Sequence, residues 1–381
     1  MDFTLKTYKS LLQKLKTRGF SFYTFSGYLQ INQTNEPKQW IILRHDVDLM
    51  PENSLQTAKI EHSLGIRSTY FFRIIPETFK PEIIRQIADL GHEIGYHYED
   101  LTLAADSVGS RQYAVGIEQK AEGSGQKSEV GGQTGSQHVK HVETHGRAST
   151  NNNDRASYNN NGRASTNNRR YAIHRVSNTF HRVINAINRA LKTIKPKNNK
   201  SGTDAPGLSG SCRRTRGERG KEVLTPRAYQ LFKTHLEQLR QYVPVKTICM
   251  HGSPKSRYDS KDIWKEYDYR EQGIIGEPYF DIDFNEVFYL TDTGRRWDGW
   301  KVILRDKVPQ QETWKKAGLV FQSTKDIIQA AEQNNLPNKI MITTHPQRWT
   351  DRPWPWMKEL VWQGVKNVVK GILVVRGQKS D

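Results

Sequence analysis

The chain is poor in cysteine, with only Cys212 and Cys249 among 381 residues. That excludes a disulfide framework and a cysteine-rich zinc module. It also lacks any apolar run near the ~18 residues of a membrane-spanning helix. Its opening, MDFTLKTYKSLLQKLKTRG, is punctuated by lysine throughout, so no secretory leader is expected there and a cytoplasmic location is. Apolar residues make up 35%, little for a compact globule, so part of the chain is expected to lie outside any core. Acidic residues are also in deficit: 40 Asp and Glu face 58 Lys and Arg, a net charge of +18. The deficit is local. Residues 106–225 hold 21 basic and 9 acidic residues, against 37 and 31 in the rest. A charge confined to one segment is weak ground for nucleic-acid binding by the whole chain.

Outside that segment the pattern alternates. Phe3, Leu5, Tyr8, Leu11, Leu12 and Leu15 recur at helical spacing before Gly19. Strand-like runs follow at 40–48 (WIILRHDVD), 68–75 (STYFFRII) and 92–97 (HEIGYH), with helical stretches at 52–64 and 80–90 between them. The pattern resumes with a helix at 227–243, carrying Leu231, Phe232, Leu236 and Leu239. Strand-like runs follow at 245–252, 277–284 and 287–294, then a helix at 323–334 and a last strand at 339–346. Strands alternating with helices at this spacing predict βαβ units and a parallel sheet. About seven strands suit an α/β fold of the irregular (β/α) barrel kind. The expected organisation is one discontinuous domain, 1–105 plus 227–381, interrupted by an insertion at 106–226.

The insertion is rich in Gly, Ser, Asn and Gln. It carries a near-repeat of eight residues, RASTNNND, RASYNNNG and RASTNNRR, starting at 147, 155 and 163. Such a tract buries too little to offset its ordering entropy and is expected to be disordered. Residues 171–194 differ: Ile173, Val176, Phe180, Val183, Ile187, Leu191 and Ile194 make a basic amphipathic helix suited to an anionic membrane face or to docking on the domain. His138, His141 and His145 could bind a metal, and RRTRGERGK (213–221) could grip phosphates; both read more simply as solvated linker.

Candidate chemistry collects at the C-terminal ends of the predicted strands: Asp46, Asp48, His97, His251, Asp292 and His345. In a parallel barrel those ends converge on one mouth. Asp46 and Asp48 are two apart in a strand, so they share a face and repel unless a cation or a proton relieves them. One can hold a metal while the other acts as base; equally, an Asp-rich turn can cap the following helix.

The ordered strings ILRHDVD, STYFFR and LGHEIGYH resemble the NodB-homology polysaccharide deacetylases, carbohydrate esterase family 4. CMHGSP, YLTDTGRRWDG and THPQRW resemble more closely its WbmS-like branch from lipopolysaccharide O-antigen loci. The resemblance spans roughly 1–105 and 227–355. It implies a NodB-type barrel. It also implies Asp46 as catalytic base, Asp48 and His97 as metal ligands, Asp292 with Trp297 in a further motif, and His345 as general acid. The family's second ligand histidine would fall at Leu101, and its Arg-Pro loop is replaced by HGSP at 251–254. On chemical grounds His251 can complete a set with Asp48 and His97, one carboxylate and two imidazoles, suited to a divalent metal such as Zn²⁺; Glu99 or Asp100 are other candidates for the third ligand.

The resulting expectation is a metal-dependent hydrolase that removes an N-acetyl group from a sugar of a surface polysaccharide or lipopolysaccharide precursor. Asp292 would orient His345. Arg44, Arg295, Trp297 and Trp349, which sit in the same strings, are the candidate substrate-binding residues, with Trp300 nearby. Their aromatic faces suit sugar rings, or are ordinary core packing. Other readings are a non-catalytic glycan-binding scaffold, a hydrolase of another C–N bond, and a nucleic-acid-associated protein acting through the insertion. The implied partner is a carbohydrate, with peripheral contact at the inner membrane face through 171–194.

Overall fold

The computed structural model describes residues 1–31, 37–107, 216–252, 256–298 and 308–377. The repeats, the 171–194 segment, the three insertion histidines, Trp300, and Ser253 and Pro254 of the HGSP loop lie outside these residues, so the expectations attached to them do too. All described residues belong to the compact unit formed by Met1–Arg111 and Ala205–Asp381.

The elements run α1 (Leu5–Thr17), β1 (Ser21–Tyr23), α2 (Phe25–Leu29), β2 (Trp40–Val47), α3 (Pro51–Ser63), β3 (Thr69–Phe72), α4 (Pro81–Asp89), β4 (Glu93–Tyr98), α5 (Arg216–Arg240), β5 (Ile248–Met250), α6 (Pro278–Asp281), β6 (Phe288–Thr291), α7 (Gln311–Lys316), α8 (Thr324–Glu332), β7 (Lys339–Thr344) and α9 (Pro353–Gly377). The strands form a seven-stranded, all-parallel sheet, a half-barrel flanked by helices, in the order β5-β4-β3-β2-β7-β6. β7 pairs with residues 40–45 along one edge of β2. β1 and β3 divide the other edge, taking 40–42 and 44–47.

Every paired strand obeys the two-residue side-chain period. Trp40 and Ile42 of β2, Phe71, Cys249, Tyr289 and Met341 meet in one cluster on the concave face. Their alternates face the helices: Tyr70, Phe72, Tyr96, Ile248 and Met250 pack against α3, α4 and α5, while Ile41, Leu43, Leu290 and Ile342 pack against α1 and α8. Burying each such side chain is worth about 1.5–3 kcal/mol, which pins the register, because a slip by one residue would turn every inward group outward. Gly95 lies where β4 crosses the Phe71 ring. An added Cβ would sit 2.3 Å from that ring, so only glycine lets β4 approach.

Two expectations change. Residues 277–284 are not a strand. The Glu277 side chain accepts from the Tyr279 N–H and Pro278 opens a helical turn, so capping overrides the apolar alternation. The helix expected at 227–243 extends back to Arg216, inside the segment assigned to the insertion. The seventh strand is instead β1, whose three residues are too short to leave a periodic signal.

Candidate metal centre

The two-residue period that fills the concave face also builds the site at its C-terminal rim. Continuing β2 inward from Trp40 and Ile42 brings Arg44, Asp46 and, just past the strand, Asp48. Cys249 leads to His251, Met341 to His345, and Gly95 to His97. The chain turns as soon as β2 ends. Asp48 N–H donates to the Asp46 carbonyl at 3.1 Å, Met50 takes a left-handed φ of 52°, and Pro51 opens α3.

Asp48 is the hub. Its Oδ1 lies 3.5 Å from His97 Nε2 and 3.5 Å from His251 Nε2, and its Oδ2 lies 3.8 Å from His345 Nε2. Gln347 Nε2 donates to Oδ2 at 3.3 Å. Each imidazole is anchored through its other nitrogen. His97 Nδ1 donates to the Cys249 carbonyl at 3.0 Å, His251 Nδ1 to Glu99 Oε2 at 2.9 Å, and His345 Nδ1 to Asp292 Oδ1 at 2.7 Å. With Nδ1 carrying a hydrogen, a neutral ring presents a lone pair at Nε2. Three lone pairs would then face one carboxylate, an arrangement that only protons or a cation make favourable.

Asp48, His97 and His251 offer ligand atoms within 4.8 Å of one another, as do Asp46, His97 and Cys249. The first set fits a divalent ion better. Two donors about 2.1 Å from a tetrahedral ion lie about 3.4 Å apart, close to the two 3.5 Å separations at Asp48. Asp48 Oδ1 is buried with no hydrogen-bond partner. In the second set Cys249 is fully buried among apolar side chains, and its Sγ is turned to the Met250 carbonyl at 3.7 Å.

The surrounding charges keep the acids ionised. Burial pushes the Asp48 carboxyl up, but the His97 imidazole beside it and the charges of His251 and His345 outweigh it, holding it well below the usual range. Burial of Asp46 is likewise outweighed, by Arg44, whose guanidinium donates to Oδ2 at 2.9 Å, and then by His97 and His345. Asp46 Oδ1 is left without a protein partner. His97 moves the other way: burial lowers it, but Asp46 and Asp48 raise it above an ordinary histidine. Glu99, where burial is overcome by His251 and Arg73, lies at about 2. Asp292, buried, is held low by Arg348 and His345 and also accepts from Trp349 Nε1 at 2.8 Å.

The structure thus brings together Asp46, Asp48, His97, His251, Asp292 and His345. It does not bring the four candidate substrate contacts to a surface. Arg44 is fully buried beneath Asp46, between the Phe71 and Tyr279 rings. Arg295 is buried and binds the Trp356 carbonyl at 2.7 Å. Trp297 packs against Phe3 and Trp349, its Nε1 on Thr324. Trp349 is fully buried and spends its one donor on Asp292. Each is a support, because a guanidinium or indole buried under the rim does not reach a ligand in the cleft. Glu99 is a buttress to His251 rather than a ligand, and Asp100 is buried against Tyr96 and His235. Leu101 belongs to the core between the sheet and α5. Arg73, Gln347 and Arg348 escaped sequence reasoning. Arg348 alone carried a signal, as the charge beside Trp349 in THPQRW.

No protein-family model, curated protein or solved structure matches this chain.

Proposed function

We propose that the chain is a divalent-metal-dependent hydrolase of the NodB-type barrel class, acting on a carbon–nitrogen bond, with an N-acetylated sugar of a surface polysaccharide or its precursor as substrate. The observation that carries this reading is the convergence of three anchored imidazole nitrogens on the Asp48 carboxylate. Asp48, His97 and His251 would hold the ion, with Zn²⁺ suited to the donor set. Bound there, it would lower the pKa of a water and polarise an acyl oxygen.

The chain's own groups divide the remaining work. Asp46 stays ionised beside Arg44 and keeps Oδ1 free to take a proton from an attacking water. Its low pKa costs some basicity, but guarantees the right protonation state at neutral pH. His345 turns Nε2 toward the same space and can deliver a proton to the departing amine. Asp292 behind Nδ1 fixes the ring and offsets the imidazolium charge. Arg348 holds Asp292 ionised for that role.

Burial of Arg44, Arg295, Trp297 and Trp349 removes the contacts that pointed to a sugar chain. That supports a second reading, the same hydrolytic site serving a different amide. Both are tested by incubating the metal-loaded chain with N-acetylated oligosaccharides and with a panel of simple N-acyl amides, and measuring amine release. The Asp46→Asn variant is expected to keep its metal and lose about 10²–10⁴ in kcat. Amine release by wild type that Asp46→Asn leaves unchanged would refute the assignment.

A further inference from the structure

α9 is amphipathic the wrong way round. Residues three or four apart share a helix face, and the face turned to the domain is largely polar. Trp356 Nε1 donates to the Asp2 carbonyl at 2.7 Å, Asn367 Nδ2 to the Gly294 carbonyl at 2.9 Å, and buried Gln363 to Glu359 at 2.6 Å. The opposite side leaves Trp354 72% exposed and Trp362 53% exposed, with Leu360 at 45% on its flank. Lys358 is exposed beside them, and Lys366 Nζ lies 5.2 Å over the Trp362 ring. A helix that buries amides and presents indoles is not explained by the domain's own core.

We infer that the outer face of α9 lies in the headgroup layer of an anionic phospholipid membrane. Tryptophan at an exposed, lysine-flanked helix face has the chemistry of that interface, where the ring meets the acyl boundary and the ammonium meets lipid phosphate. The charge pattern selects this occupant. Residues 353–377 carry Lys358, Lys366, Lys370 and Arg376 against a single acid, Glu359, which faces inward. A second copy apposed through this face would bring Lys358 and Lys366 against lysine. The basic segment at 171–194 has the same sign and is a poor cover for this face. Among the described residues no helix is long and apolar enough to cross a membrane, so the helix lies along the surface. None of this depends on the hydrolase reading.

The test is flotation of the full chain with phosphatidylcholine vesicles, pure or with about a third phosphatidylglycerol, at low and high salt. Wild type is expected to float only with the anionic vesicles and to be released by salt. Trp354→Ala/Trp362→Ala and, separately, Lys358→Glu/Lys366→Glu are each expected to lower the bound fraction about tenfold. Melting curves should be unchanged, since these side chains face away from the core. Because residues 171–194 could bind lipid by themselves, flotation that both variants retain overturns the assignment. So does a wild type that ignores vesicles, or a lipid-free dimer that the tryptophan variant dissociates.

Discussion

The sharpest perturbation is His251→Ala, because His251 is the proposed ligand that would stand in for the histidine the NodB resemblance expects at position 101. Its Nε2 lies 3.5 Å from Asp48 Oδ1, level with that of His97, and its Nδ1 is held by Glu99. Complete four-ligand zinc sites are worth about 10–16 kcal/mol, so removing one of three protein ligands here should cost roughly 3–4 kcal/mol, about 10²–10³-fold in Kd. The assay is competition for Zn²⁺ against a chromophoric chelator, using chelator-stripped full chain. Thermal melts give a second readout. At a hundredfold excess of metal over Kd, binding adds about 2.7 kcal/mol, which raises Tm by roughly 5–10 °C for a domain of this size. That rise should vanish in His251→Ala at the same metal concentration. His345→Ala, whose Nε2 faces the other carboxylate oxygen at 3.8 Å, should shift Kd less than tenfold. Affinity in His251→Ala within tenfold of wild type, or a stripped wild type that binds no zinc, would refute the site.

Three further outcomes follow from neighbouring residues. Glu99→Gln keeps the shape of the His251 buttress but removes its charge, and should weaken zinc about 10–100-fold; because Glu99 also pairs with Arg73, Tm of the stripped protein should fall as well, so the affinity of the folded protein is the readout, and equal affinities would sink the buttress role. Leu101→His places at a core position the histidine that the NodB resemblance implies there, so it should destabilise by about 2–4 kcal/mol in a denaturant titration without tightening zinc. Tighter zinc there would mean that position 101 reaches the ion. Burial raises Glu277 to about 7, with hydrogen bonds from Met250 and Tyr279 and the charge of Arg44 opposing it. Its protonated form therefore stabilises the fold fully below pH 4.5, and that contribution is lost as pH rises through 7. Between pH 4.5 and 8 wild type should lose roughly 3 kcal/mol more than Glu277→Gln, and parallel pH–stability curves for the two would exclude it.

Much of the half-barrel is readable residue by residue. The α1 periodicity and the runs at 40–48, 68–75, 92–97 and 339–346 appear as elements within a few residues of their expected limits, since each pairs a strong period with a clear stop such as Gly19, Pro51 or Gly91. Where a run had a competing local solution, as at Glu277-Pro278, the period misled. Short β1 carried too few residues to register, and α9 hid because its apolar side is not its buried side.

Residue type and spacing were enough to single out Asp46, Asp48, His97, His251, Asp292 and His345, because alternation along a strand is a local rule and all of these but Asp292 continue the inward positions. Burial was not local. Whether Arg44, Arg295, Trp297 and Trp349 meet solvent, or whether Glu99 ligates or merely supports, depends on which distant segment lies across from each. Trp349 finds Asp292 across 57 residues and His251 finds Glu99 across 152. Such partners are assigned by the packing of the whole sheet, and no window of sequence contains both of them.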